Sequence, residues 1–158
     1  FIIIRTSRVF SDSKNNFITK IISLAKKEEN LSIVSDEIAT PTSSDLISKV
    51  THQLINYMNK YKNKNIFGVY HVVAEGSCSW YDYCTLIVDE LLKNKFPIKI
   101  NLNNISSISS KDYKTNAIRP KNSVLCNNKI KTLLSIELPN WEDDVKKTIK
   151  DIINKNKI

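Results

Sequence analysis

An apolar run that stops abruptly at polar residues is the feature that most constrains the fold of this chain. Positions 1–4 are all apolar and mostly β-branched, and the chain turns polar at Arg5 and stays so through Arg8. A short run of this kind is typical of a buried strand in a parallel sheet. In open α/β sheets, ligands bind just beyond the carboxyl ends of such strands. The pattern therefore predicts that residues 5–10 lie at the rim of a binding crevice.

The same run bears on domain organisation. A central strand of a parallel sheet needs a neighbour on each side, yet this one occupies the first residues of a sequence without an initiator Met. We therefore expect the chain to be the C-terminal part of a larger protein.

The composition is that of one globular domain and does not favour a nucleic-acid-binding protein. The 158 residues suffice for a domain with its own core, and no apolar run approaches the roughly 18 residues of a membrane span. The net charge is +8, but only Arg5, Arg8 and Arg119 among the 24 basic residues are arginine. The lysines are spread over all the predicted helices, whereas nucleic-acid readers rely on Arg and interleaved aromatic residues. We expect no specific nucleic-acid partner and no membrane association.

The glycine, cysteine and histidine content argues against several kinds of site. Only two glycines are present, which excludes a P-loop and a dinucleotide-binding fingerprint within this chain. Cys78, Cys84 and Cys126 include no Cys-x-x-Cys pair, so we expect three reduced thiols, a cytoplasmic protein and no metal site. His52 is expected on a helix surface and His71 as a hydrogen-bonded core residue. A Cys78–His71 nucleophile pair lacks a third group to orient it.

Alternating strand and helix patterns predict an α/β fold. The second helix is expected to bury a stripe that includes Ile55, Pro139 is expected to open the last helix, and the tail beyond Asn154 is expected to fray. The predicted order is strand 1–4, helix 16–29, strand 31–34, helix 43–60, turn 61–65, strand 68–73, helix 80–92, strand 97–100, loop 102–123, helix 129–134 and a helix from 139.

Polar side chains cluster where these strands end and helices begin. Helix N-termini and arginine suit a diphosphate group, so together the residues indicate a ligand bearing one. Taken singly, each is better explained by ordinary helix capping or solvation. They are Thr6, Ser7, Arg8, Asn15, Asn16, Thr40, Thr42, Ser77, Ser79 and Arg119.

A series of short motifs runs through the chain in a fixed order: 5–10 (RTSRVF), 15–17 (NNF), 24–26 (LAK), 36–42 (DEIATPT), 68–71 (GVYH), 79–83 (SWYDY), 119–125 (RPKNSVL) and 138–141 (LPNW). In order and spacing they resemble the C-terminal half of the dTDP-4-dehydrorhamnose reductases, a family of extended short-chain dehydrogenases/reductases. The ordered set covers essentially the whole chain and separates this family from epimerases and dehydratases of the same superfamily.

The chain departs from the family pattern at four positions. Arg8 stands where the family has Trp, so a charged group replaces a flat apolar ring. Glu37 stands where the family has Gln, and Ala39 where it has Gly. Ile118 replaces a second arginine that often precedes Arg119.

The resemblance implies both fold and activity. Residues 1–158 would form the C-terminal portion of an extended Rossmann-type reductase: the last parallel core strands plus the smaller substrate-binding subdomain, with the dinucleotide-binding part absent. The full-length protein would use NADPH or NADH to reduce the 4-keto group of dTDP-4-dehydro-L-rhamnose, giving dTDP-L-rhamnose for surface polysaccharides.

The resemblance also implies roles for residues. Substrate binding would fall to Arg8, Asn16, Thr42, Trp80 and Arg119, and Thr6 and Ser7 would face the cofactor. The family's catalytic Tyr-x-x-x-Lys pair and Thr precede the matched segment, so we expect no catalytic residue here and no activity from this portion alone. A homodimer is expected, and Mg²⁺ at a subunit interface stays open.

Three other functions stay open at this point. The fold also serves as a non-catalytic binding subunit, as in the regulatory β-subunit of methionine adenosyltransferase. A sibling reductase with another sugar nucleotide is the second alternative, and the Arg8 substitution keeps it open. A basic nucleic-acid-binding domain is the third, and it would show steep salt dependence on a heparin or DNA column.

Overall fold

The computed structural model describes residues 1–13, 15–62, 66–113 and 119–155. They form an α/β fold, as the sequence predicts. The described residues form five α-helices: α1 (Phe17–Lys27), α2 (Ser44–Lys60), α3 (Trp80–Lys93), α4 (Asn128–Leu134) and α5 (Trp141–Lys155). Eight short strands accompany them: β1 (Ile2–Arg5), β2 (Val9–Phe10), β3 (Leu31–Val34), β4 (Ile38–Ala39), β5 (Thr42–Ser43), β6 (Gly68–His71), β7 (Cys78–Ser79) and β8 (Ile105–Ile108).

The strands associate in pairs, mostly by long-range parallel contacts. β1 pairs with β6, β2 with β5 and β3 with β8, all parallel, while β4 and β7 run antiparallel. In the first pair Ile2 lies opposite Gly68, and in the third Leu31 lies opposite Ile105. Parallel pairs need crossover connections, which here are supplied by the helices.

The first strand differs from the sequence prediction. Within the described residues β1 pairs with β6 alone, so the expected neighbours on both sides are not found there. Its residues alternate between half-buried and exposed: Ile2 and Ile4 pack on the core, whereas Ile3 is 44% exposed. Within the described residues only the inward side chains of this pleated strand reach the core, and burial on both faces in the larger protein stays a prediction.

Two helices begin where their capping residues predict. The Asn16 side chain accepts a hydrogen bond from the Thr19 backbone and starts α1 in a capping box. Ser79 and Asp82 form the same reciprocal pair at the start of α3. Asn16 follows an irregular segment and Ser79 is the last residue of β7, so the two caps fix where the chain turns into α1 and α3 beside the candidate site.

The core lies between α1, α3 and α5 and the inner strands. The predicted inward residues of α5 are all buried, from Trp141 to Ile153. In α2, Leu46, Val50 and Leu54 are buried at four-residue spacing, but Ile55 is 50% exposed. Ile55 lies about 100° around the helix from Leu54, which turns it away from the core. Its predicted burial is wrong.

The largest errors concern the segment after α3. The predicted strand at residues 97–100 is irregular, with Lys99 N–H donating to the Ala25 carbonyl. The predicted loop instead contains a 3₁₀ turn at Leu102–Asn104 and strand β8. Residues 63–65 of the predicted turn, positions 114–118 of the loop and the tail from 156 lie outside the described residues.

Candidate functional site

The side chain of Arg8 joins three segments at the carboxyl end of β1. One guanidinium nitrogen donates to the Cys78 carbonyl at 2.8 Å and the other to the Glu37 carbonyl at 2.7 Å. The guanidinium carbon lies 3.9 Å from the centre of the Trp80 ring. Burial lowers the pKa of Arg8, while the neighbouring Cys78 and Glu37 act in the opposite direction. The guanidinium therefore ties the loop after β1 to β4, β7 and the start of α3.

The backbone of Arg8 is strained in this conformation. Its φ is +41°, in the left-handed region that a non-glycine residue adopts at a cost of about 1 kcal/mol or more. Two charge-assisted hydrogen bonds and the ring contact offset that strain. The conformation is thus held by the contacts of the side chain rather than by local preference.

Trp80 stands at the centre of the site. The ring of Phe17 lies 4.6 Å from the Trp80 ring, in addition to the Arg8 contact. The indole N–H donates to Glu37 Oε2 at 3.1 Å. Trp80 is therefore fixed by a cation, an aromatic ring and a carboxylate, and its orientation is set before any ligand arrives.

A groove of about 1120 Å³ opens beside Trp80. Its walls come from the first turns of α1, from β3 and from the segment after β8. The lining combines apolar side chains with amides, hydroxyls and charges. Its main polar residues are Asn15, Asn16, Lys20, Glu37, Ser110, Tyr113 and Arg119.

The structure brings together part of the predicted substrate set. Asn16, Trp80 and Arg119 line this one groove, and Arg8 lies against Trp80. Thr42 is different: it is fully buried in the β2–β5 pair, and its hydroxyl donates to the Thr40 carbonyl. Because its side chain does not reach the surface, Thr42 does not line the groove, and its role in substrate binding stays a prediction.

The predicted cofactor residues follow β1 directly. Thr6 is exposed and Ser7 is half-buried, at the carboxyl end of the β1–β6 pair. Neither lines the groove. Their role in cofactor binding stays a prediction.

An ion-pair network ties the segment after β8 to the end of β3. The Asp36 carboxylate accepts hydrogen bonds from the Ser110 backbone at 2.9 Å and the Ser109 hydroxyl at 3.1 Å, and it pairs with Lys121. The Lys121 ammonium is the main reason that the pKa of Asp36 lies well below its usual range. Because Ser110 lines the groove, Asp36 indirectly shapes one wall.

We expect acid to release this network in a defined pH range. A carboxyl whose native pKa is depressed contributes stability that is complete above the ordinary Asp value, about 3.9, and is lost as the pH falls through the native value. Replacing Asp36 with Asn should therefore lower the urea midpoint at pH 7, with a smaller effect in high salt. NMR titration of the Asp36 carboxyl checks the direction. Asp112→Asn, in the same segment, is the control, and equal midpoints for both variants would contradict the network.

The two buried cysteines, Cys78 and Cys84, are not placed to act as nucleophiles. Burial raises the pKa of both Cys78 and Cys84 to about 12, so neither is a thiolate near neutral pH. His71 is half-buried, and its Nδ1 lies 3.0 Å from the Cys126 carbonyl. Within the described ranges no group of three or more His, Cys, Asp or Glu residues could hold a metal ion. No helix in that part of the chain is both long and apolar enough to cross a membrane.

Comparison with known proteins decides the family. Residues 1–154 match the RmlD substrate binding domain. The chain belongs to this family. The family resemblance stated from the motifs is thereby confirmed.

Curated relatives agree with the family match. The dTDP-4-dehydrorhamnose reductase of Escherichia coli strain K12 is 34% identical over 152 residues, 96% of this chain and 49% of that protein. The spore coat polysaccharide biosynthesis protein SpsK of Bacillus subtilis strain 168 is 28% identical over 94% of this chain and 47% of that protein. The chain thus spans about half the length of the curated relatives it matches.

Solved structures confirm the fold. The dTDP-4-dehydrorhamnose reductase from Clostridium acetobutylicum superposes with a TM-score of 0.77 at 27% identity, covering 99% of this chain and 49% of that one. The enzyme from Bacillus anthracis, in complex with NADP, gives 0.71 at 28% identity, covering 95% and 48%. A UDP-galactose 4-epimerase, 13% identical with a TM-score of 0.70, shares the fold alone. The predicted class, the C-terminal portion of an extended short-chain reductase, is confirmed.

Sequence reasoning missed some residues of the groove. Lys20, Ser110 and Tyr113 line it but lie outside the motifs named in the sequence analysis. Glu37 was noted only as a departure from the family pattern, yet it lines the groove and bonds Trp80. Lys20 could have been predicted from the sequence, because it follows Asn16 by four residues and so lies on the same face of the helix start.

Proposed function

We propose that this chain is the substrate-binding portion of a dTDP-4-dehydrorhamnose reductase. The full-length oxidoreductase would reduce the 4-keto group of dTDP-4-dehydro-L-rhamnose to give dTDP-L-rhamnose, a precursor of surface polysaccharide. The main support is the groove, which is lined by Asn16, Trp80 and Arg119 from three motifs that are distant in the sequence. The relative from Escherichia coli, whose name states this activity, matches 96% of the chain.

The groove has the properties that a sugar nucleotide requires. At one wall the N-terminus of α1, with Asn16 as its cap and no acidic residue in its first turn, offers backbone N–H groups. Lys20 and Arg119 add positive charge along the same groove. A helix N-terminus together with Lys and Arg is suited to a diphosphate. The apolar lining from β3 and α1 is suited to the faces of a base or sugar ring.

The nicotinamide cofactor would approach from the end of β1. The exposed Thr6 hydroxyl and the half-buried Ser7 follow a parallel strand, which is where α/β sheets receive ligands. NADPH or NADH would supply the hydride, and the NADP complex of the Bacillus anthracis relative supports that choice. The proton donor, a Tyr-x-x-x-Lys pair in the family, would come from sequence outside this chain. We therefore expect residues 1–158 alone to be inactive.

Other parts of the proposal come from the family resemblance. They are residues 1–158 acting as one substrate-binding portion, a homodimer, Mg²⁺ at a subunit interface, and a cytoplasmic location consistent with three free thiols. Each stays a prediction.

A sibling reductase acting on another sugar nucleotide is the second candidate. One observation favours it: Arg8 takes the place of the family's Trp, and Glu37 that of its Gln, side by side against Trp80. Both changes adjoin Trp80, and Glu37 and Trp80 line the groove, so they could favour a different sugar.

Turnover by the full-length protein tests the proposal. Purified protein is mixed with dTDP-4-dehydro-L-rhamnose and NADPH, and absorbance at the reduced nicotinamide band is followed. We expect consumption of NADPH and formation of dTDP-L-rhamnose. A folded full-length protein that binds dTDP but turns over only another 4-keto sugar nucleotide would support the sibling reductase, and no turnover of any would refute both.

A further inference from the structure

A buried carboxylate lies in the wall of the groove. Glu37 is 8% exposed, yet it is one of the lining residues. It precedes β4 and is held there from both sides, because its backbone carbonyl accepts from Arg8 and its carboxylate accepts from Trp80. Glu37 is thus held in position by Arg8 and by Trp80, and Trp80 also lines the groove.

The carboxylate has acceptor capacity that the protein does not fill. Oε2 accepts the Trp80 indole N–H at 3.1 Å. From the residues that the structure describes, Oε1 receives no hydrogen bond. An ionised carboxylate offers about four acceptor sites, so a single neutral donor leaves most of them unused. These free acceptor positions belong to a residue that lines the groove, where a donor on a ligand can complete their hydrogen bonding.

The neighbouring charge explains how the carboxylate is tolerated. The Arg8 guanidinium lies on the same Trp80 ring, but within the described residues its two hydrogen bonds go to backbone carbonyls rather than to the carboxylate. Glu37 therefore gains charge compensation from Arg8 without losing its acceptor oxygens to that residue.

A glutamine at this position would behave differently. If the amide oxygen of a glutamine accepted from Trp80, its NH₂ group would face the ligand and present a donor. Glutamate presents a second acceptor instead. With glutamate at this position, the wall of the groove presents a hydrogen-bond acceptor where glutamine would present a donor.

We propose that Glu37 is a specificity-determining residue that accepts a hydrogen bond from an N–H or O–H donor on the uncharged part of the bound nucleotide sugar. The proposal rests on the proposed function. The donor is either a sugar hydroxyl or the N3–H of the base, both of which are hydrogen-bond donors. The diphosphate is excluded because its oxygens would repel the carboxylate, whereas Lys20 and Arg119, which line the same groove, would attract it.

The test measures binding to the full-length protein by calorimetry, with dTDP and dTDP-glucose as probes. Glu37→Gln keeps the shape and the Trp80 contact but removes the second acceptor. We expect dTDP-glucose to bind this variant about 10- to 100-fold more weakly. If a sugar hydroxyl is the donor, dTDP binding is unchanged. If the base is the donor, both probes weaken equally.

The matched control is Glu137→Gln. Glu137 is an exposed glutamate paired with Lys131 and lies outside the groove, so we expect wild-type affinities. A wild-type protein that binds dTDP-glucose while Glu37→Gln binds it within twofold would overturn the inference and leave the proposed function standing. A folded wild-type protein that binds neither probe would overturn both.

A second measurement needs no variant, which matters if Glu37→Gln folds poorly. The wild-type protein is titrated with N3-methyl-dTDP and with dTDP-sugars that each lack one hydroxyl. At least one of these ligands should bind about tenfold more weakly than its parent. If all of them bind within twofold, the carboxylate does not select a donor and the inference fails.

Discussion

Replacing Tyr83 with Ala is expected to lower the free energy of unfolding by about 3 to 5 kcal/mol, the range for a buried aromatic side chain. Tyr83 is 1% exposed, and its ring lies 5.0 Å from Phe17 and 5.7 Å from Trp141. Its loss would open a cavity between α1, α3 and α5 directly beneath Trp80. Urea unfolding followed by circular dichroism measures the change.

Replacing Tyr83 with Phe should have the opposite sign. The Tyr83 hydroxyl is buried without a hydrogen-bond partner among the described residues, and burial raises its pKa. Removing an unpaired buried hydroxyl is expected to stabilise the protein by up to about 1 kcal/mol. Tyr70→Phe is the control, because the Tyr70 hydroxyl donates to the Ile66 carbonyl at 2.8 Å and its loss should destabilise. If Tyr83→Phe lowered the free energy of unfolding as much as Tyr70→Phe does, the Tyr83 hydroxyl would have a hydrogen-bond partner.

The parts of the fold that the sequence predicts well are those encoded locally. The caps at Asn16 and Ser79 specify helix starts within a few residues, and the apolar spacing of α5 identifies its buried face without tertiary information. These signals depend on neighbours in the chain, which a single sequence contains in full.

The errors arise where pairing partners are far apart. β8 reads Ile-Ser-Ser-Ile, too polar to suggest a strand, and it forms because β3 lies beside it, more than 70 positions earlier in the chain. Pro97, by contrast, opens an apolar segment that finds no strand partner in the described residues. Strand formation depends on cross-strand partners, which no local pattern reveals.

The site divides in the same way. Motif order places Asn16, Trp80 and Arg119 on one groove, as expected, because strand ends and helix starts converge in α/β folds. Burial of Thr42 could not be foreseen, since it depends on the β2–β5 pair closing over its side chain. The contacts of Arg8 were equally hidden, because two of its three partners are backbone carbonyls of distant segments.

Replacing Arg8 with Met is expected both to destabilise the protein and to weaken ligand binding. The variant keeps a long apolar side chain but leaves the carbonyls of Glu37 and Cys78 without their donor. Hydrogen bonds from a charged donor contribute about 1.5 to 3 kcal/mol each, and because Arg8 is only half-buried we expect a loss of about 2 kcal/mol in total. Urea unfolding measures this term.

Binding should fall further than stability alone requires, because Trp80 and Glu37 lose the group that holds them in place. We expect the full-length protein to bind dTDP-glucose at least about tenfold more weakly in Arg8→Met. Arg8→Lys retains the charge over the Trp80 ring but reaches only one carbonyl at a time, so it should recover part of the affinity. Arg5→Met, an exposed arginine three residues earlier, is the matched control and should bind as the wild type does. If Arg8→Met loses stability but binds with wild-type affinity, Arg8 supports the fold alone and does not position the groove.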